Sequence, residues 1–537
     1  MKKIPIFADL EPFNNLKELM HISAERYSER YAFSYEKKKE IVNVSYLRFR
    51  SDTEALSTYI YSLGISNANI AVIGENAYEW IVSYFSTVTV GNVIVPLDKD
   101  LSNEEIKTLL LDSESQVLLY ADSYSDIVEY IKETCKDIRW YIPFNSFSDL
   151  IAKGQELIKN GQKDVLEKVI DSNDLAAIIY TSGTTGNPKG VMLSHKNLSS
   201  NTVSCRHYVK VRGHSMMLLP MHHSFGFTTC VLYYLFTGSQ MYISHSLKRI
   251  KEDFLKFKPY NVFMVPMIVE SVYKRIWDRA KESGREKVLR NTIKFSNILM
   301  KLGIDVRKKL FKSLIAEFGG NFEYIITGGA PIDDIYIKGL CDIGIDTVNG
   351  YGITECSPVV SVNRLGRNKI GSAGEVYTCC KVRIDNGDED GIGEILVKGE
   401  NVMLGYYKNK ELTEQVFNDG WFKTGDIGYL DKDNYIYITG RKKTMIVLNN
   451  GKNVFPEELE AYILREIKYI SEVVVSFEEN ILVATIYIEP DIRDKYISRV
   501  EDDIKRVGAN LVSYKRVSRV VLKDEEFEKT TTKKIKR

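Results

Sequence analysis

Two rhythms of apolar and polar residues run through the first third of the chain. Residues 16–30, 46–63, 77–89 and 104–112 repeat apolar side chains at helical spacing. Residues 32–35, 41–44, 70–73, 93–97, 117–120 and 175–180 are short apolar runs closed by turn-forming residues. The first pattern predicts amphipathic helices and the second predicts strands. Their alternation predicts an α/β fold built on mostly parallel sheets with helices on both faces. Further on, a charged helix is expected near 253–257, a strand at 261–265, and a long helical region over 266–318 with Lys and Arg on its exposed faces. A strand at 322–327 precedes Gly328-Gly329-Ala330-Pro331, and strands at 381–384 and 393–399 open a strand-rich second half. No internal repeat or low-complexity linker interrupts the pattern.

One segment departs from both rhythms. Residues 213–247 contain no Asp, Glu, Lys or Arg, a length that would allow a membrane span. Pro220, Gly226, Gly238 and the histidines at 214, 222, 223 and 245 oppose a span, because they are costly in hydrocarbon. The segment therefore reads as buried, or as the wall of a deep apolar pocket.

At 537 residues and 61.5 kDa the chain exceeds what one core supports, so two or more domains are expected. With 73 basic and 72 acidic residues the net charge is +1, which gives no argument for a nucleic-acid partner. Seven cysteines show neither zinc spacing nor C-x-x-C pairs and read as reduced thiols of a cytoplasmic protein. The apolar patch after Met1-Lys2-Lys3 ends at Asp9, too short for a signal peptide.

The chemistry concentrates at Tyr180-Thr181-Ser182-Gly183-Thr184-Thr185-Gly186-Asn187-Pro188-Lys189-Gly190, directly after an apolar strand. Glycines allow backbone N–H groups to approach an anion, hydroxyls add donors, and a lysine adds positive charge. A triphosphate is the natural guest, although the spacing is not that of a P-loop. Asn349-Gly350-Tyr351-Gly352-Ile353-Thr354-Glu355 offers an aromatic face and a carboxylate, and Trp421-Phe422-Lys423-Thr424-Gly425-Asp426 sets one carboxylate at a tight turn. An ionised aspartate there can accept from both hydroxyls of a ribose, or serve as a turn residue.

Together with Gly440-Arg441-Lys442-Lys443 and the C-terminal Lys529-Thr530-Thr531-Thr532-Lys533-Lys534-Ile535-Lys536-Arg537, these stretches resemble the acyl-adenylate-forming enzymes, the superfamily of acyl-CoA synthetases, luciferases and peptide-synthetase adenylation domains. The match is nearest in type to the long-chain fatty acyl-CoA synthetases. The resemblance implies a large N-terminal ATP- and acyl-binding domain, residues 1–440, with a strand-rich subdomain. It also implies a small mobile α+β domain, residues 441–537. Nucleotide contacts would come from Thr181, Ser182, Gly183, Thr185, Gly186, Lys189, Gly329, Ala330, Asn349, Tyr351, Gly352 and Thr354. Asp426 would bind ribose, Arg441 ribose or phosphate, and Thr184 with Glu355 would hold Mg²⁺. Lys443 falls at the pivot of the small domain, Gly451 in the loop lining the thiol tunnel, His223 at a gate position, and Lys534 at the catalytic lysine. Lys533 departs from the family pattern, which has glycine there.

The implied function is ATP-dependent activation of a fatty acid to acyl-AMP with release of pyrophosphate, then transfer to coenzyme A. Two alternatives stay open, a ligase that loads an acyl carrier protein and a non-catalytic acyl or nucleotide sensor. Phe225, Phe227, Val231, Leu232, Tyr233, Tyr234, Leu235 and Phe236 are expected to wall the acyl pocket, with Gly226 and Gly238 leaving backbone-lined space. Membrane association, if any, is expected to be peripheral.

Overall fold

The computed structural model describes residues 10–181, 188–211, 213–244, 246–448, 453–529 and 535. The chain divides into two compact units, Met1–Lys381 with Val397–Phe422, and Val382–Leu396 with Lys423–Arg537.

The first unit is built on two mixed sheets. A seven-stranded sheet runs in the order Gly405–Tyr406, Lys189–Ser194, Leu175–Thr181, Val93–Pro96, Asn69–Ile73, Ser115–Tyr120 and Trp140–Pro143. Pairing is parallel from Leu175–Thr181 to Trp140–Pro143 and antiparallel across the two strands at the other edge. The expected strands at 70–73, 93–97, 117–120 and 175–180 all lie in it. Their near-continuous burial matches a sheet covered on both faces. The nine-stranded sheet has a parallel centre, Asp346–Gly352, Tyr324–Thr327, Asn261–Met264, His214–Met217, Gln240–Ile243 and Tyr31–Lys37, with antiparallel strands at both ends.

The helices follow the apolar spacing closely, at Leu16–Tyr27, Tyr46–Ser62, Tyr78–Val88 and Asn103–Asp112. The last shows how local sequence fixes a start. Ser102 caps the Glu105 amide while the Glu105 carboxylate accepts from the Ser102 N–H, and Ile106, Leu109 and Leu110 turn inward. The region expected to be helical over 266–318 is divided into Pro266–Glu282, Glu286–Lys301, Arg307–Leu310 and Lys312–Ala316.

The uncharged segment contributes the strands His214–Met217 and Gln240–Ile243 and, between them, a buried helical stretch over residues 224–237, π-helical at Phe227–Leu232. Among the described residues no helix is long and apolar enough to cross a membrane. Phe227 stacks on Tyr84 with ring centres 3.8 Å apart and also meets Trp80 and Phe85. The Tyr233 hydroxyl donates to the Val209 carbonyl and that of Tyr234 to Asn261. These groups are filled core, 0–3% exposed. The expectation that Gly226 leaves open space is corrected by its surroundings, since a Cβ there would lie 2.3 Å from the Pro220 carbonyl oxygen. Gly226 is a close-approach residue between backbones. Gly238, with φ +70°, ends the helix in the left-handed region.

The second unit includes most of an antiparallel sheet, Cys380–Asp385, Gly393–Gly399, Trp421–Leu430 and Ile436–Arg441. It also carries an α+β portion in which Glu472–Glu478, Ile481–Tyr487 and Arg519–Lys523 form a three-stranded sheet. The helices Pro456–Glu466 and Val500–Gly508 cover that sheet through a core of their own, including Leu459, Ile463, Ala484, Ile486 and Ile504.

Candidate active site

Leu175–Thr181 and Lys189–Ser194 pair antiparallel with Thr181 opposite Lys189. Thr181 and Lys189 therefore bracket the phosphate-cradle sequence at the carboxyl end of a strand whose other neighbour, Val93–Pro96, runs parallel to it. Open α/β sheets bind ligands at this end. Ser182, Gly183, Thr184, Thr185 and Gly186 lie outside the described residues, as do Gly451 and Lys534.

Lys189 leads away from the cradle sequence, and its ammonium stands 5.5 Å from the ring centre of Tyr406. The Tyr406 hydroxyl donates to Glu355 Oε1 at 2.9 Å. Burial pushes the Tyr406 hydroxyl well above its ordinary pKa, and the neighbouring Glu355 charge adds to the effect. It therefore stays a donor at any physiological pH. Tyr406 thus joins the loop lysine to the candidate metal carboxylate, a role that sequence reasoning missed. The only signal was a tyrosine directly after Gly405, in what the structure shows to be a two-residue edge strand.

Glu355 sits in a one-turn helix, Thr354–Cys356, after the strand Asp346–Gly352. Its backbone carbonyl accepts from Met403 N–H at 2.8 Å. Thr354 Oγ1 lies 3.3 Å from Ser224 Oγ, joining this turn to the segment that carries His223. A Cβ on Gly352 would lie 2.2 Å from the Pro358 carbonyl oxygen, so backbone packing alone requires glycine there. Asn349 pairs with Thr327 in register, which sets Gly328, Gly329 and Ala330 beside residues 349–351. Gly329 and Ala330 are exposed, and Tyr351 is largely buried. Phe225 approaches Gly328 and Gly329. Of the residues expected to wall an acyl pocket, it alone is not fully buried.

The two mixed sheets are joined beyond the carboxyl ends of the parallel strands Asn69–Ile73 and His214–Met217 by Asn76, which donates to the Leu219 carbonyl at 2.8 Å and accepts from Met221 N–H at 3.0 Å. Nearby, His222 Nε2 lies 3.2 Å from Asp98 Oδ1, and donor atoms of Asp98, His222 and His223 fall within 4.8 Å of one another. Two imidazoles and a carboxylate could hold a transition metal. Burial first, then the His223 imidazole, keeps His222 well below its usual pKa against the pull of Asp98. The proximity of Asp98 to the histidines was not legible, since the topology brings together residues far apart in sequence.

In the second unit Asp426 faces Arg441 across an antiparallel pair. Arg441 Nε lies 3.1 Å from Asp426 Oδ1, the arginine half-exposed and the aspartate buried. The pair is a carboxylate already neutralised by a cation that can reach solvent. Lys442 pairs with Glu394 at 2.7 Å, and Lys443 is exposed in the turn that follows the strand Ile436–Arg441. All seven cysteines are free thiols, and burial pushes Cys205 and Cys230 up to about 12.

Lys189, Tyr406 and Glu355, set side by side near the carboxyl end of a sheet, suit a ligase that handles a phosphate-bearing substrate. The pattern of the AMP-binding enzyme family matches residues 20–407, and the chain belongs to that family. It is similar to the long-chain-fatty-acid–CoA ligase FadD15 of Mycobacterium bovis, 29% identical over 477 residues that cover 84% of this chain and 78% of the relative. It is also similar to the chloroplastic long-chain-fatty-acid–[acyl-carrier-protein] ligase AEE15 of Arabidopsis thaliana, 28% identical over 539 residues covering 85% and 74%. The solved Mycobacterium tuberculosis fatty acyl CoA synthetase has the same fold, with a TM-score of 0.69 at 23% identity over 97% of this chain and 96% of that one.

Proposed function

We propose that the chain activates a long-chain fatty acid with ATP and passes the acyl group to coenzyme A. The observation that carries this reading is the placing of Lys189, Tyr406 and Glu355 side by side near the carboxyl end of a sheet, in a family whose relatives named above act on long-chain fatty acids. Bringing a carboxylate to the α-phosphate of ATP sets two anions against each other, so the site must supply positive charge and donors first. Lys189 and the N–H groups of residues 181–186 would meet the phosphates, Tyr351 the adenine, and Asp426 with Arg441 the ribose. Lys534 would bridge the acid and the α-phosphate. The domain of residues 441–537 would then turn at Lys443, carrying Lys534 away and bringing the Gly451 loop to the thiol.

A divalent ion fits the donor set. Glu355 is a partly exposed carboxylate whose Oε1 is fixed by a tyrosine hydroxyl, a hard oxygen ligand of the kind Mg²⁺ takes. Mg²⁺ held by Glu355 and Thr184 would spread the negative charge of the phosphates.

The acyl-carrier-protein acceptor is a second reading, favoured by the nearly equal identity of the Arabidopsis carrier-protein ligase. One experiment tests both. Pyrophosphate release is followed over a panel of carboxylates from acetate to long straight-chain acids, with coenzyme A or a carrier protein as acceptor. Efficiency should rise with chain length, by several-fold per added methylene while room remains, and coenzyme A alone should release product. A preference for acetate, benzoate or an amino acid would overturn the substrate reading. Turnover with the carrier protein only would move the acceptor to the second reading.

A further inference from the structure

The helix Glu286–Lys301 is apolar on two opposite faces. Leu289 and Ile293 pack on a core that includes Val269, Phe311 and Leu340, and Ser296 on the same side is fully buried. At 3.6 residues per turn, Val288, Phe295, Ile298 and Leu302 fall within an arc of about 80° on the far side. They are 62%, 54%, 60% and 70% exposed. Ile304, 52% exposed, follows directly after them in the chain. Among the described residues nothing covers this stripe, and large apolar side chains lined up in solvent mark a surface meant to be covered.

The charges beside the stripe say what covers it. Lys287, Lys294 and Lys301 recur at heptad spacing along its flank, all exposed, and none has an ion-pair partner among the described residues. The helix has one acidic residue, Glu286, which is held by Arg290 at 2.6 Å. Arg290 itself lies over the Trp277 ring at 4.9 Å. Beyond the helix, Lys308, Lys309 and Lys312 extend the basic character, with Lys308 paired to Glu323. An apolar stripe with a parallel row of unpaired lysines fits a plane with hydrocarbon below and negative charge at its surface. The side chains of Phe295, Ile298 and Leu302 can enter the acyl boundary while lysines extend to headgroup phosphates.

We propose that this face docks the protein on anionic phospholipid bilayers, with Glu286–Lys301 lying in the headgroup plane. The proposal is independent of the substrate and is tested without one. It also has a consequence for the ligase reading: a docked enzyme would meet an alkyl acid in the phase where such acids concentrate.

The test is flotation of the full chain with vesicles of phosphatidylcholine alone or mixed with phosphatidylglycerol. The protein should float with the mixed vesicles and be released by high salt. Phe295→Ser with Ile298→Ser should lower binding at least tenfold. Lys287→Gln, Lys294→Gln and Lys301→Gln together should reduce binding on mixed vesicles to the level on neutral ones. Hydrogen exchange on the unmodified protein needs no variant, and mixed vesicles should slow exchange over residues 286–304. Failure of the protein to float with anionic vesicles would overturn the proposal, as would full binding by either variant. So would protection of residues 286–304 that follows protein concentration rather than lipid, because that would assign the stripe to a second copy of the chain.

Discussion

Replacing Tyr406 by phenylalanine isolates one interaction at the centre of the candidate site. The ring remains, and with it the Lys189 ammonium 5.5 Å from its centre. What disappears is the hydroxyl that donates to Glu355 Oε1 at 2.9 Å. A hydrogen bond to a charged group is worth about 1.5–3 kcal/mol, equivalent to roughly 10- to 150-fold if all of it serves to orient the carboxylate. Glu355 is partly exposed, so water can replace part of the loss and the lower end, about tenfold, is expected. Because the carboxylate is read as the Mg²⁺ ligand, the defect should appear as a higher half-saturating Mg²⁺ concentration in pyrophosphate release. Thermal stability should change little. Tyr406→Leu removes the ring as well and should lose a further two- to fivefold, the size of a cation–π contact of about 0.5–1 kcal/mol. In the Glu355→Gln background the Tyr406→Phe effect should shrink, as a double-mutant cycle requires of directly coupled partners. Tyr406→Phe enzyme with unchanged Mg²⁺ dependence would refute the reasoning, since the hydroxyl would then have no hold on the metal ligand.

Three other outcomes are expected. Gly226→Ala should destabilise the fold by about 1–3 kcal/mol, because its Cβ meets the Pro220 carbonyl oxygen at 2.3 Å; a melting temperature equal to that of the unmodified protein would return Gly226 to the list of pocket positions. Lys534→Ala should abolish acyl-AMP formation while leaving transfer from supplied acyl-AMP to coenzyme A largely intact, and equal loss in both half-reactions would remove Lys534 from its role. His195 is buried, accepts from Leu16 N–H at Nδ1, and is held down at about 4 by burial. The unfolded chain therefore binds the extra proton first, and stability present above about pH 6.5 should be lost as pH falls towards 4, by on the order of 3 kcal/mol. Denaturant titrations of His195→Gln should show that pH slope flattened, and an unchanged slope would assign acid lability to other groups.

Helices and parallel strands were legible because burial on one face or both leaves a period in the sequence. The runs at 70–73, 93–97 and 117–120 appear as paired strands within a residue or two of their expected ends. The uncharged segment was less legible for a physical reason. A helix packed in a core and a helix lining a pocket need the same apolar side chains, and only the neighbours distinguish them. Here Phe227 has Tyr84, Trp80 and Phe85 as neighbours, so its side of the helix is filled. The stripe at Val288, Phe295, Ile298 and Leu302 was hidden by the opposite ambiguity. Apolar residues at helical spacing are expected to face a core, and only the fold shows that these four stay in solvent.

Pairwise geometry is the part of the site that no local pattern encodes, and Glu355 illustrates how the fold supplies it. The turn after this residue is gripped by two amides from distant segments. Asn201, on the helix His195–Cys205, donates to the carbonyls of Cys356 at 3.2 Å and Val359 at 2.7 Å. Asn401 donates to the same two carbonyls at 3.0 and 3.1 Å. Both asparagines are buried, where an unmet carbonyl costs about 1–3 kcal/mol. Each carbonyl therefore keeps one partner if either amide moves, and the turn has no low-energy alternative while both remain. The same helix is capped by Ser194 at the end of the strand Lys189–Ser194, and Asn197 on it donates to the carbonyls of Glu400 and Val402 at 2.8 Å. The strand that carries Lys189, the turn that carries Glu355 and the segment leading to Tyr406 are thus tied to one rigid element. A site that must bring two anions together gains from donors fixed before the substrate arrives, because no reorganisation is then spent during the reaction. That rigidity comes from residues outside every motif of the sequence, and so the motifs identify the chemistry while the buried amides set its geometry.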